Sequence, residues 1–198
     1  MPEIPFLYTI FKPGDFNESE LALICNKFKP ITIPKNEYLH REGKTAHTYW
    51  FLEQGFIRSY VSDTKGNDIS TAFYRPGDVV IDWSSFFLRM PGRESIQTLS
   101  KCICWECSYD DFQELFNGIK TFREHGRSRL VTDYFRLKNQ SISLIADSAK
   151  ERYLQLLHSK PDIILHVPQQ HIASYLGITK YSLSRIRKEI TGETHFLP

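Results

Sequence analysis

The sequence has no apolar run approaching the roughly 20 residues that cross a bilayer. Its first residues, Met1-Pro-Glu-Ile-Pro-Phe-Leu-Tyr8, lack the basic region, apolar stretch and small-residue cleavage site of a secretion signal. The cytoplasm is therefore the expected compartment, with no membrane partner. Cysteine is scarce: there are four, with Cys25 alone and Cys102, Cys104 and Cys107 clustered, which argues against a disulfide framework. Internal repeats and low-complexity tracts are missing too. No Ser/His/Asp arrangement, paired-carboxylate site or glycine-rich phosphate loop is present, so an enzyme is not expected. The seven histidines are scattered, and His166 and His171 lack metal-motif spacing.

What is there is unevenly charged. Residues 1–116 carry a net charge of −4 and residues 117–198 a net of +6, within a total of +2. An acidic front and a basic back fit a body that stays off nucleic acid and a tail that seeks it. A solvated basic face is the plainer alternative.

The texture changes twice along the chain. Residues 16–28 read as a short helix, with Asn17 as N-cap and Glu20 completing a capping box. From Ile31 to Cys107, short β-branched and aromatic runs alternate with Pro and Gly, as in Tyr49-Trp-Phe-Leu-Glu-Gln-Gly55 and Ile69-Ser-Thr-Ala-Phe-Tyr74. That punctuation predicts an all-β sandwich or barrel. After Ser108, itself an N-cap, the pattern is helical, with a long stretch over 119–146. There Leu130, Tyr134, Leu137, Ser141 and Leu144 fall at spacings of four and three, a seam of about two heptads. The seam either packs on its own domain or forms a symmetric dimer. A further helix spans Ser148 to His158, and Ile163 to Val167 reads as a short β-like run.

The most specific pattern is Gln169-Gln-His-Ile-Ala-Ser-Tyr-Leu-Gly-Ile-Thr-Lys-Tyr-Ser-Leu-Ser-Arg-Ile-Arg-Lys188. Pro168 suits a first helical position. Ile172 and Leu176 share a face, Ala173 is small enough for a close crossing, and Gly177 can take the left-handed conformation that turns the chain. Ile178 fills the corner, and Thr179 caps a second helix whose inner stripe is Leu183, Ile186 and Ile190. This predicts a helix-turn-helix. Its outer residues Lys180, Tyr181, Ser182, Ser184, Arg185, Arg187 and Lys188, with Thr179, Gln169 and Gln170, are the candidate DNA contacts, Arg185 suiting a guanine edge. An ordinary helical hairpin is the structural alternative.

In order and spacing, Tyr38-Leu-His-Arg-Glu-Gly43, Tyr49 to Tyr60, Asp63-Thr-Lys-Gly66, Phe73-Tyr-Arg-Pro-Gly-Asp78 and the helix-turn-helix resemble the Crp/Fnr class of bacterial regulators, over about Phe16 to Glu189. The resemblance implies an α+β chain: an N-terminal cyclic-nucleotide-binding-like β jelly roll (1–116), a long dimerisation helix (117–147) and a C-terminal helix-turn-helix domain (148–198). It also implies a homodimer acting on double-stranded DNA, with RNA polymerase and an unidentified small-molecule effector as further partners. The alternative is a small-molecule-binding or protein-interaction module with a vestigial helix-turn-helix.

Two departures matter. The family's phosphate-binding cassette has Gly-Glu followed about ten residues later by Arg, Ser/Thr and Ala, whereas here Ile81-Asp-Trp-Ser-Ser85 precedes Arg93-Glu-Ser95. The candidate ligand residues are thus Asp82, Ser84, Ser85, Arg93 and Ser95, and Glu94 sets negative charge where a phosphate would sit. A cyclic nucleotide is not expected; Arg93 reads equally as a turn arginine. Only eight residues follow Ile190, so a short or missing wing is expected. The cysteine cluster invites a metal, but Cys102 and Cys104 alternate onto one strand face and Cys107 onto the other, a poor geometry for one ion. No metal or cofactor is expected.

Overall fold

The computed structural model describes residues 5–12 and 14–194, with side chains through Thr191. Two short helices come first, α1 (Phe6–Ile10) and α2 (Glu18–Asn26). The Asn17/Glu20 capping box of α2 forms as expected, Asn17 Oδ1 accepting from Glu20 N at 2.9 Å. Eight strands follow: β1 (Lys29–Ile33), β2 (Tyr38–His40), β3 (Thr48–Gln54), β4 (Ile57–Ser62), β5 (Asp68–Tyr74), β6 (Val79–Val80), β7 (Ser95–Thr98) and β8 (Cys102–Ser108). They form two antiparallel four-stranded sheets, ordered β1-β8-β3-β6 and β2-β7-β4-β5.

Alternation on β3 assigns the layers. Trp50 and Leu52 face the interior between the sheets with Ile57, Val80 and Ile96. Tyr49 and Phe51 face outward into a second core built with the helices, around Phe11, Phe28, Phe86, Phe112 and Phe122. Burying both faces of one sheet explains why β3 reads as a continuous apolar run. One element departs from the all-β reading of Ile31 to Cys107: Trp83 to Leu88 form a helix, α3, capped by Asp82, whose Oδ1 accepts from Ser85 N at 2.9 Å. An Asx cap on a six-residue turn of helix leaves little trace in a pattern dominated by strands.

The helical half comprises α4 (Tyr109–Gly118), α5 (Lys120–Ala146), α6 (Ala149–Ser159), α7 (Pro161–His166), α8 (Gln169–Tyr175) and α9 (Lys180–Thr194). Ser108 caps α4, and Ser148 with Glu151 boxes α6. The expected β-like run at Ile163–Val167 is instead α7. Pro161 opens that helix, and Ile163 is fully buried among the C-terminal helices, so tertiary packing overrides the β-branched preference. Pro168, expected at the first helical position, stands one residue earlier as the N-cap of α8.

The C-terminal helices rest on the barrel. Phe73 of β5 joins their core, Phe56 stacks on His166 with ring centroids 4.7 Å apart, and Arg75 pairs with Asp162 at 3.0 Å.

Candidate nucleic-acid interface and barrel ligand site

Helices α8 and α9 cross through side chains fully or nearly removed from water: Ile172, Ala173 and Leu176 on one, Leu183 on the other. Gly177 has φ +68°, the left-handed turn expected of it, and Ile178 N then donates to Ala173 O at 3.0 Å. Thr179 Oγ1 accepts from Ser182 N at 3.1 Å, capping the start of α9. The sequence expectation for this corner holds residue by residue.

On the outer face of α9, Lys180, Tyr181, Ser184, Arg185 and Lys188 are exposed, Tyr181 at 72%. Ser182 and Arg187 are half-buried, and the Ser182 hydroxyl lies 3.0 Å from that of Thr179. Gln169 and Gln170 are exposed in the first turn of α8, beside this face in sequence. Over residues 179–189 the one acid, Glu189, pairs with Lys150 at 2.8 Å, so its charge is compensated and that stretch of α9 presents a positive surface field. The helix continues to Thr194; the wing expectation rests on residues beyond it, outside those described.

Helix α5 buries only Phe122 among its 27 residues. Leu130, Tyr134, Leu137 and Leu144 of the expected seam are 45–61% exposed, and Ser141 is exposed with them. The apolar surface is wider than the seam, since Val131, Phe135, Ile142 and Ile145 are exposed beside it. Those four were missed because they sit one position from the heptad register.

The barrel candidates do not assemble into an open phosphate cradle. Asp82 and Ser85 are buried in the α3 turn: Ser84 Oγ donates to Asp82 Oδ1 at 2.9 Å, and Ser85 Oγ donates to Met90 O at 2.7 Å while accepting from Ala46 N at 2.8 Å. Ser95 Oγ accepts from Glu42 N at 3.1 Å. Arg93 is exposed.

Two features here escaped the sequence. Asp82 Oδ2 lies 3.7 Å from His40 Nε2; both atoms are buried and neither has a hydrogen-bond partner. Burial lowers the His40 pKa, and Asp82 partly opposes it. Glu94 is half-buried, and burial raises its carboxyl pKa against the lowering effect of hydrogen bonds from Thr71 and Ser59. Its negative charge was expected from the Arg93-Glu94 pair; its half-burial was not. Where it is ionised, the Glu94 carboxylate disfavours a cyclic phosphate beside it on electrostatic grounds.

Cys102 and Cys104 belong to the interior core and Cys107 to the outer one, as alternation required. Burial pushes the Cys104 and Cys107 thiols up to about 12, so in this fold they stay protonated. Among the described residues no three His, Cys, Asp or Glu side chains gather as a metal site. No described helix is long and apolar enough to cross a membrane.

Known proteins agree with this architecture. The sequence profile of the cyclic nucleotide-binding domain matches residues 30–118. The anaerobic regulatory protein of Haemophilus influenzae is 25% identical over 189 residues, covering 88% of this chain and 72% of that protein. Regulatory protein HlyX of Actinobacillus pleuropneumoniae is also 25% identical, with 88% and 77% covered. Among solved structures, FixK2 from Bradyrhizobium japonicum superposes with a TM-score of 0.72 at 18% identity, covering 84% of this chain and 86% of that one. In its order of jelly roll, long helix and helix-turn-helix the chain is thus similar to these regulators and shares their fold, with a match to the cyclic nucleotide-binding domain over residues 30–118.

Proposed function

We propose that the chain is a DNA-binding transcriptional regulator that works as a homodimer, without catalytic activity of its own, in the cytoplasm. Residues 1–116 sense, 117–147 dimerise and 148–198 bind DNA. The observation that carries the reading is the Thr179-capped helix α9, with Leu183 buried inward and Lys180, Tyr181, Ser184, Arg185 and Lys188 directed to water. Such a helix enters the major groove by its N-terminal end, with cations and hydroxyls on phosphates and Arg185 on a base edge. The exposed apolar strip of α5 supports a two-fold partner, which sets two recognition helices for two half-sites. The input is a small molecule other than a cyclic nucleotide, and RNA polymerase is the downstream partner.

The test is fluorescence anisotropy with labelled duplexes selected from random sequence. Tight binding that weakens as salt rises and collapses in a Lys180/Arg185/Lys188→Glu variant is expected. Wild-type binding equal to that of the folded triple variant would instead favour a module whose helix-turn-helix no longer reads DNA.

A further inference from the structure

A cavity of about 450 Å³ lies between α5 and the outward face of the β3–β6 sheet edge, with Phe51, Val79, Phe116, Phe122, His125 and Gly126 among its walls. It is on the opposite side of that sheet from the barrel interior, because Tyr49 and Phe51 line it while Trp50 and Leu52 point the other way. It is therefore separate from Glu94 and its neighbours Ser59 on β4 and Thr71 on β5. It is partly open to solvent, and apolar wall left facing water favours an apolar occupant. Its volume is that of a small-molecule site.

The walls name the chemistry. Almost all of the exposed wall is carbon, much of it aromatic. Three arginines contribute to it, yet each head group is engaged elsewhere. Arg123 donates to Phe116 O at 3.1 Å, Arg129 donates to Gly77 O at 3.2 Å, and Arg127 pairs with Glu124 at 2.8 Å. Glu124 offsets the charge of Arg127, while Arg123 and Arg129 each turn an N–H to a backbone carbonyl and keep their charge. One polar atom stands out: His125 Nε2 is shielded from water and has no hydrogen-bond partner, its ring wedged against Phe11 and Phe16 at centroid distances of 5.4 and 5.7 Å. Burial, reinforced by the charge of Arg129, lowers its pKa and favours the neutral imidazole. A hydroxyl suits either tautomer of that ring, since it can donate or accept.

Gly126 points the same way. Glycine inside a helix is less favourable than alanine, and a Cβ at Gly126 would meet nothing within 4 Å, so close packing does not require it. The space left by the missing side chain adjoins the cavity.

We infer that this cavity is a binding site for a neutral aromatic or polycyclic small molecule bearing one hydroxyl-type group, which hydrogen-bonds to His125. The inference rests on the regulatory reading only in treating the occupant as an input, and it is tested without DNA. The full chain is titrated with the neutral fluorophore N-phenyl-1-naphthylamine, and bound probe is displaced by 2-naphthol, naphthalene or 2-naphthoate.

Saturable binding at one site per chain is expected, weakened at least tenfold by Gly126→Leu and by Val79→Phe, which fill the cavity from opposite walls. Gly118→Ala, outside the cavity, should bind as wild type does. Displacement by 2-naphthol should exceed that by naphthalene, and His125→Phe should erase this preference while retaining the probe. Absence of saturable binding, or filled variants that bind like wild type, overturns the site. Stronger displacement by the naphthoate anion overturns the ligand class. Loss of the probe site with DNA binding intact would refute this inference and leave the regulatory reading standing.

Discussion

Arg58 donates from Nη1 to Nδ1 of His171 at 2.9 Å, joining β4 of the barrel to the first helix of the helix-turn-helix. The arginine is buried, and its Nη2 also donates to Asp68 at 2.7 Å and Gln97 at 3.0 Å. Arginine has no acceptor and stays charged, so His171 must offer a lone pair from Nδ1 and carry its proton on Nε2. Next to it, Ser174 Oγ accepts from Ser70 N at 3.1 Å. The helix-turn-helix is thus held on the barrel by a contact that requires a neutral imidazole.

Acidification should loosen this contact. Burial first, then the charge of Arg58, lowers the His171 pKa to about 4, with Asp68 opposing. A histidine whose folded pKa lies below its unfolded value of about 6.5 contributes stability that is complete above pH 6.5 and erodes from there toward pH 4. His40 and His125 shift in the same direction, so the variant separates the contributions. Urea midpoints between pH 7 and pH 4 should fall less steeply for His171→Gln than for wild type. Parallel slopes would show that this histidine does not titrate with docking.

Arg185→Ala should weaken binding to a selected duplex by on the order of 1–3 kcal/mol and relax specificity at one base position. Lys188→Ala should weaken all sequences alike and reduce the salt slope by about 1. Anisotropy titrations at several salt concentrations distinguish the two; a purely nonspecific loss at Arg185 would remove it from base readout.

Leu137, 45% exposed at the middle of the α5 strip, is expected to meet its symmetry mate. Leu137→Glu should set like charges across that axis and shift sedimentation from dimer to monomer. An unchanged dimer would move the interface elsewhere on the chain.

Calorimetry with cAMP and cGMP should show at most millimolar affinity. The half-buried Glu94 repels a phosphate, and the hydroxyls of Ser85 and Ser95 are already engaged by backbone groups. Micromolar binding of either nucleotide would mean that Arg93 and Glu94 rearrange around it.

Gly92 packs directly on the buried His40–Asp82 pair, and a Cβ there would collide with both side chains. Gly92→Ala should therefore cost about 1–3 kcal/mol by overpacking, measured by urea unfolding. A neutral effect would show that the pair can spread.

The C-terminal motif was legible because every rule it uses is local. Gly177 at a left-handed turn, Thr179 as a cap and Leu183 as an inward apolar residue depend on neighbours within a few positions. The strand runs and the capping box at Asn17 were readable for the same reason. Where sequence reading failed, distant groups decided. Ile163 lies in a helix because the C-terminal core buries it, and Trp83–Leu88 are held as α3 by Phe86 in the outer core and by Ala46 N donating to Ser85 Oγ.

Composition, periodicity and motif order by themselves determined an acidic β front, a long helix and a basic helix-turn-helix, since propensity, capping and hydrophobic period act over short chain distances. The tertiary structure alone decided the rest. It set Arg58 against His171 across 113 positions, half-buried Glu94 beside Ser59 and Thr71 and left His125 unpartnered beside an apolar cavity. Burial and charge fields depend on what the fold brings near, and separation along the chain does not encode that.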